Sequence, residues 1–158
     1  LISYGDIIYN TEILKKTINA NYQINIPIDI EWKKYWKLRM ENPLDDAETL
    51  KLDSEFNILE IGKKTKDYRD IYGQYMGLIK IRSDIGKRLF KTWDAINKNI
   101  LHDGRTYKQM YMTTFIQHLI DIGLEVKAIP VKRGWVEIDT PKDIEVAENW
   151  IKETDFLL

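Results

Sequence analysis

The sequence predicts a mixed, mostly parallel α/β sheet with helices on both faces. Three observations predict it. Strand-like and helix-like segments follow one another as β-α-β, then a hairpin, then β-α-α-β-β-α. Gln23–Ile30 alternates strictly between apolar and other residues, as a half-buried strand does. Two apolar runs each deliver an acid beside a turn or a helix start: Leu1-Ile2-Ser3-Tyr4-Gly5-Asp6 and Gly134-Trp135-Val136-Glu137-Ile138-Asp139-Thr140. In an open α/β sheet, ligand chemistry collects at the carboxyl ends of strands.

Ile2 to Ile8 reads as the first strand, running out through Gly5-Asp6. Asn10 or Thr11 caps a helix to about Ala20, with Leu14 and Ile18 on its apolar face. Pro27 gives the next strand no ladder donor, so an edge or a bulge is expected there. Glu31–Arg39 reads as a short helix and Asn42-Pro43 as a turn. Glu48–Leu52 and Asn57–Ile61 form the hairpin around Asp53-Ser54-Glu55, and Gly73–Ile81 reads as a central strand. Ser83 starts a helix towards Lys98, and a second helix, Met110–Ile122, stops at Gly123. Val126–Val131 and Trp135–Ile138 are strands. Thr140-Pro141-Lys142-Asp143 opens the last helix with a cap, a proline at the first helical position and an acid facing the helix dipole.

The 158 residues are enough for one domain with a real core. Twenty-four basic residues against 25 acidic ones leave no basic excess of the kind a nucleic-acid footprint needs. With no cysteine there is no disulfide framework and no thiolate metal site, which fits a cytoplasmic setting. No apolar run is long enough to span a bilayer. The chain opens with Leu1 already inside a strand, so earlier residues are expected.

Several short strings, in order, carry a resemblance: Ser3-Tyr4-Gly5-Asp6-Ile7-Ile8-Tyr9, Asn42-Pro43-Leu44-Asp45-Asp46-Ala47-Glu48-Thr49, Glu60-Ile61-Gly62-Lys63-Lys64, Gly73-Gln74-Tyr75-Met76-Gly77-Leu78, Met112-Thr113-Thr114-Phe115 and Trp135-Val136-Glu137-Ile138-Asp139. The set resembles the sugar-phosphate nucleotidyltransferase superfamily, in its phosphocholine/phosphoglutamine cytidylyltransferase-like branch. The resemblance covers essentially the whole chain. It implies an incomplete Rossmann-like nucleotidyltransferase fold, with residues 1–158 as the C-terminal, acceptor-binding and metal-binding portion. The family's opening G-x-G-x-R loop, which wraps a triphosphate with backbone N–H groups, has no counterpart here. This chain by itself is therefore expected to be catalytically incomplete.

The implied reaction has an acceptor phosphate oxygen attack the α-phosphorus of a nucleoside triphosphate, CTP favoured, with pyrophosphate leaving. The acceptor is a small phosphomonoester or phosphonate such as phosphocholine or phosphoglutamine, and the product serves decoration of a surface polysaccharide or lipid. The attacking group is already an anion, so positioning and charge neutralisation dominate. By resemblance Asp6 and Asp139 hold Mg²⁺; read from the residues alone, a turn acid and a cap acid are the commoner roles.

Lys63 matches a lysine that meets the acceptor's phosphate, against the plainer reading of a surface lysine, which suits Lys64 better. Glu137 faces either a cationic head group or solvent. Gln74 and Tyr75 are placed to line the acceptor pocket, and Tyr111 and Thr113 to head a helix facing it. Trp32, Tyr35 and Trp36 suit a cation–π cage or ordinary packing. Arg39 and Lys37 meet phosphate or stay solvated. His102 and His118 lack metal-ligand spacing.

Two alternatives stay open. One is a sugar-1-phosphate nucleotidyltransferase using UTP or dTTP. The other is a non-catalytic binding module without the triphosphate loop. An exposed strand at Leu1 also invites association into a homo-oligomer.

Overall fold

A computed structural model describes residues 1–154. The apolar run at the start is two strands, not one. β1 (Ile2–Ser3) and β2 (Ile7–Tyr9) are separated by a turn at Gly5-Asp6 and join different sheets. α1 (Thr11–Asn19) is capped by the Asn10 side chain, which accepts from the Ile13 N–H at 2.9 Å. Its buried face is Ile13 and Thr17; Ile18, expected inside, is 48 % exposed.

β3 (Ile24–Asp29) is buried at every position and is the centre of the main sheet rather than an edge. The parallel strand β8 (Val126–Val131) follows it along its whole length, from the Ile24–Val126 pair to the Asp29–Val131 pair. The other edge of β3 is shared by two short antiparallel strands. β7 (Leu78–Ile81) pairs at Ile24 and Asn25, and β6 (Gln74–Tyr75) pairs at Ile28 and Asp29. Pro27 falls in the gap between them, where no donor is needed. Gly77, with φ +77°, turns the chain between β6 and β7, so the expected single strand Gly73–Ile81 is broken there.

β1 completes the sheet beside β7, also antiparallel. The sheet is thus mixed but mostly antiparallel, and β3–β8 is its parallel pairing. That corrects the mostly parallel expectation. The physical reason is that the 73–81 segment, broken at Gly77, runs antiparallel to β3 and the N-terminal strand runs antiparallel to β7, which leaves β3–β8 as the parallel pairing.

Helices do cover both faces. Ile24, Ile26 and Ile28 point into a core with Leu89 of α3 (Gly86–Ala95), Ile116 and Leu119 of α4 (Met112–Asp121), and the hairpin of β4 (Glu48–Leu52) and β5 (Ile58–Lys64). Each of those isoleucines contributes about 1.5–3 kcal/mol by leaving water. α3 is shorter than the sequence suggested, beginning after a turn at Ser83–Ile85. α4 ends as expected, with Gly123 at φ +82°.

The opposite core is aromatic. Trp32, Tyr35 and Trp36 of α2 (Trp32–Arg39) meet Trp135 of β9 (Trp135–Glu137) and Trp150 of α5 (Pro141–Glu153). β9 pairs antiparallel with β2, with Ile7 opposite Glu137. Among the described residues no helix is long and apolar enough to cross a membrane.

Candidate acceptor cavity and acidic cluster

Five elements converge at one end of the hairpin. β4 and β5 supply Glu48, Thr49 and Lys64; β6 supplies Gln74 and Tyr75; α4 supplies Thr113 near its first turn; β9 supplies Glu137. Trp36, Asp46, Tyr4 and Tyr111 close the wall of a cavity of about 300 Å³. Four residues expected at the acceptor, Glu137, Gln74, Tyr75 and Trp36, share this wall, and Tyr111 and Thr113 line it as well.

The wall is organised by its own hydrogen bonds. The Gln74 amide donates to the Glu48 carbonyl at 2.8 Å and accepts from the Glu48 N–H at 3.3 Å. The Trp36 indole N–H donates to Asp46 at 2.9 Å. Lys64 donates to the Asp46 carbonyl at 2.9 Å. The Tyr75 ring packs edge-on against Tyr4, at 5.7 Å between centroids, and its buried hydroxyl has no hydrogen-bond partner of normal geometry among the described residues. Burial pushes the Tyr75 hydroxyl far up, so it remains a proton donor at neutral pH.

Three carboxylates, Asp46, Glu48 and Glu137, face this space against one lysine. Burial raises the Glu48 carboxyl, while Lys64 and Thr113 pull it back down. Burial pushes Glu137 up to about 7; Arg39 opposes this, and the charges of Asp139 and Asp46 add to it. A concave site of excess negative charge walled by aromatic rings favours a cationic group.

Behind Glu137 lies Arg39, whose side chain is only 3 % exposed. Its Nη1 donates to Glu137 Oε2 at 2.7 Å, its Nε donates to Asp143 Oδ1 at 3.0 Å, and its Nη2 donates to Asp139 Oδ2. Asp143 Oδ2 accepts from the Thr140 N–H at 2.8 Å and the Thr140 hydroxyl at 2.8 Å, closing the start of α5. Arg39, read from the sequence as meeting phosphate or staying solvated, is instead buried and gives three of its donors to carboxylates.

Asp139 is 49 % exposed on its side chain, and its Oδ1 accepts no hydrogen bond among the described residues. Asp6 is exposed in the turn before β2, not at a strand's end. The antiparallel register brings the two backbones together: the Ile138 N–H donates to the Asp6 carbonyl at 2.9 Å. The Tyr4 hydroxyl is raised by burial first and then by the charges of Asp6, Glu48 and Glu137, with the Tyr75 hydroxyl opposing the rise.

Lys63 stands away from this wall. Its Nζ is bonded to Glu60 at 2.7 Å and it borders a separate shallow cavity with Asp103 and His118. Trp32 is packed in the aromatic core, edge-on to Trp36 at 5.8 Å. The residues that sequence reasoning did not single out are Tyr4, Asp46, Glu48 and Thr49, with Lys64 set aside as a surface lysine. The usable signal for Lys64 was Gly62: a glycine inside a strand marks a bulge that reverses which side chain faces in.

The fold is that of the nucleotidyltransferases. The inositol-1-phosphate CTP transferase of T. maritima superposes over 95 % of this chain and 55 % of its own, with a TM-score of 0.62 and 16 % identity. A Bacillus anthracis protein described as a glucose-1-phosphate thymidylyltransferase superposes over 99 % of this chain and 55 % of its own, with a TM-score of 0.64 and 12 % identity.

In sequence the chain is similar to a cytidylyltransferase. It is 39 % identical over 146 residues to the CTP:phosphoglutamine cytidylyltransferase of Campylobacter jejuni. The match takes in 92 % of this chain and 57 % of that protein, so the chain spans little more than half the length of its relative. No family model matches the chain. The resemblance carried by the ordered motifs is borne out.

Proposed function

We propose that this chain forms the acceptor-binding and metal-binding portion of a cytidylyltransferase that joins CMP from CTP to a small phosphorylated acceptor bearing a cationic amino group. Phosphoglutamine is the first choice and phosphocholine the second. The observation that carries the reading is the cavity wall of three carboxylates, one lysine and four aromatic rings, with a buried Tyr75 hydroxyl that has no hydrogen-bond partner of normal geometry among the described residues. Glu48 and Glu137 suit an ammonium group, Lys64 suits the carboxylate of an amino acid, and the Tyr75 hydroxyl suits an acceptor oxygen. A neutral sugar asks for many hydroxyl partners rather than this excess of negative charge.

In this reading the acceptor's phosphate oxygen attacks the α-phosphorus of CTP and the bond to pyrophosphate breaks. No proton need leave the attacking oxygen, so no general base is assigned. The chain's own work is to bind the acceptor's head group, orient its phosphate outward and hold the two acids in place.

Asp6 and Asp139 fit a divalent cation. Asp139 Oδ1 accepts no hydrogen bond among the described residues, and Arg39 is one cation among three acids. Among the described residues no group of three or more His, Asp or Glu is placed to hold a metal unaided, so phosphate and water would fill the remaining positions, as Mg²⁺ prefers. Mg²⁺ bound there neutralises phosphate charge. A reaction that consumes CTP belongs in the cytoplasm, and by family resemblance its product serves decoration of a surface polysaccharide or lipid.

Titration calorimetry with phosphoglutamine, phosphocholine and glucose-1-phosphate tests the cavity, with binding of the first two and not the third expected. Pyrophosphate release by the protein as its gene encodes it, with each NTP and acceptor in turn, tests the reaction. No release with any pair refutes it.

A further inference from the structure

We infer that Arg39 is a positioning residue that locks the acceptor-side acid and the metal-side acid into one constellation. The inference rests on the reading of Glu137 and Asp139 given above. One buried guanidinium binds one oxygen of each: Nη1 takes Glu137 Oε2, and Nη2 takes Asp139 Oδ2. The second oxygen of each acid, Glu137 Oε1 and Asp139 Oδ1, accepts no hydrogen bond among the described residues. Arg39 thereby splits each carboxylate into a fixed half and a free half. The free halves belong to residues only two apart, Glu137 at the end of β9 and Asp139 just beyond it, so a single group sets the spacing between them.

Arg39 is itself fixed. Its Nε is held by Asp143, whose other oxygen is bonded into the first turn of α5, and its guanidinium lies 5.5 Å from the Trp36 ring that walls the cavity. Tyr35, on the same helix as Arg39, donates its hydroxyl to the Glu137 carbonyl at 3.0 Å, so α2 grips β9 by side chain and by backbone. A planar fork of five donors can serve three carboxylates at once; a lysine ammonium at the end of a flexible stem cannot reproduce that spread. Groups that hold a ligand from behind typically change metal affinity by about 10–100-fold when replaced.

The pattern across variants separates positioning from general damage. Mn²⁺ affinity is read by electron paramagnetic resonance, and phosphoglutamine affinity by calorimetry without metal. D139N loses Mn²⁺ alone, and E137Q loses phosphoglutamine alone. R39K, whose residue touches neither ligand, weakens both by about tenfold.

D143N serves where R39K does not fold, because it loosens the anchor and leaves the other two bonds. It weakens both affinities in the same proportion, by a smaller factor. Retention of either affinity within about twofold of the unmodified chain in R39K, or in D143N where that variant decides, overturns the inference while leaving the site itself intact. An unmodified chain that binds neither Mn²⁺ nor phosphoglutamine overturns the reading of the site, and the inference with it.

Discussion

Replacing Gly62 by alanine tests whether the cavity depends on the hairpin's bulge. Gly62 lies inside β5 at φ +87°, where an L-residue is strained by about 1–2 kcal/mol. An added Cβ would also stand 2.6 Å from Thr113 Cβ and 2.7 Å from its hydroxyl oxygen. Thr113 is buried near the start of α4, so it cannot swing out to solvent. Overpacking of this kind costs about 1–3 kcal/mol. The sum, about 2–5 kcal/mol, has the opposite sign to the gain of about 0.4–1 kcal/mol that alanine gives at an unstrained glycine.

Urea denaturation of G62A, T113G and the double variant separates the two parts. The double variant should recover the steric share and retain the backbone strain. Acceptor affinity should fall in G62A, because Thr113 lines the cavity and must move. A G62A chain within about 0.5 kcal/mol of the unmodified one, or a cycle with no coupling energy, refutes the reasoning.

W36F removes the indole donor to Asp46 and should cost about 1–2 kcal/mol in stability and several-fold in acceptor affinity, read by denaturation and calorimetry. Glu48 has a folded pKa raised by burial, so the folded state holds its proton longer than the unfolded chain does. Stability should therefore decline as pH rises from the ordinary glutamate value through the raised one, and E48Q should flatten that decline in a pH series of melts. Asp143 runs the other way: against a burial penalty, Arg39 and Thr140 hold its carboxyl below the usual range. Its contribution should be complete above the ordinary aspartate value and lost as pH falls towards the folded one, a loss absent from D143N when acid unfolding is followed by circular dichroism.

The legible part of the fold was the part set by local pattern. Thr140-Pro141 and Asp143 announced α5, and Gly123 announced the end of α4, because caps are local chemistry. What failed was decided by distant partners. Ile2–Ile8 is one apolar run in sequence, yet β7 claims its first half and β9 its second. Pro27 marks an edge by the usual rule, but here two short strands leave a gap opposite it in the middle of a sheet. In α1 the i,i+4 pair Ile13 and Thr17 went inside in place of Leu14 and Ile18. A threonine is buried there because its hydroxyl donates to the Ile13 carbonyl at 2.8 Å.

At the site, family motifs led to Glu137, Gln74 and Tyr75. The bulge at Gly62 turned Lys64 inward, where the resemblance had pointed to Lys63. Arg39 was conspicuous as a cation but not as a hub, since its three carboxylate partners lie about a hundred positions downstream.

The aromatic core has an optical consequence. Trp36 stands 5.8 Å from Trp32 and 5.9 Å from Trp135, ring centre to ring centre, and Tyr35 bridges towards Trp150 at 5.7 Å. At such spacings the excited state migrates among the rings before it emits. Trp36 alone of these indoles borders the candidate acceptor cavity. A molecule that quenches Trp36 therefore dims its neighbours as well, and the cavity's occupancy is written into the intrinsic fluorescence of the whole cluster without any label.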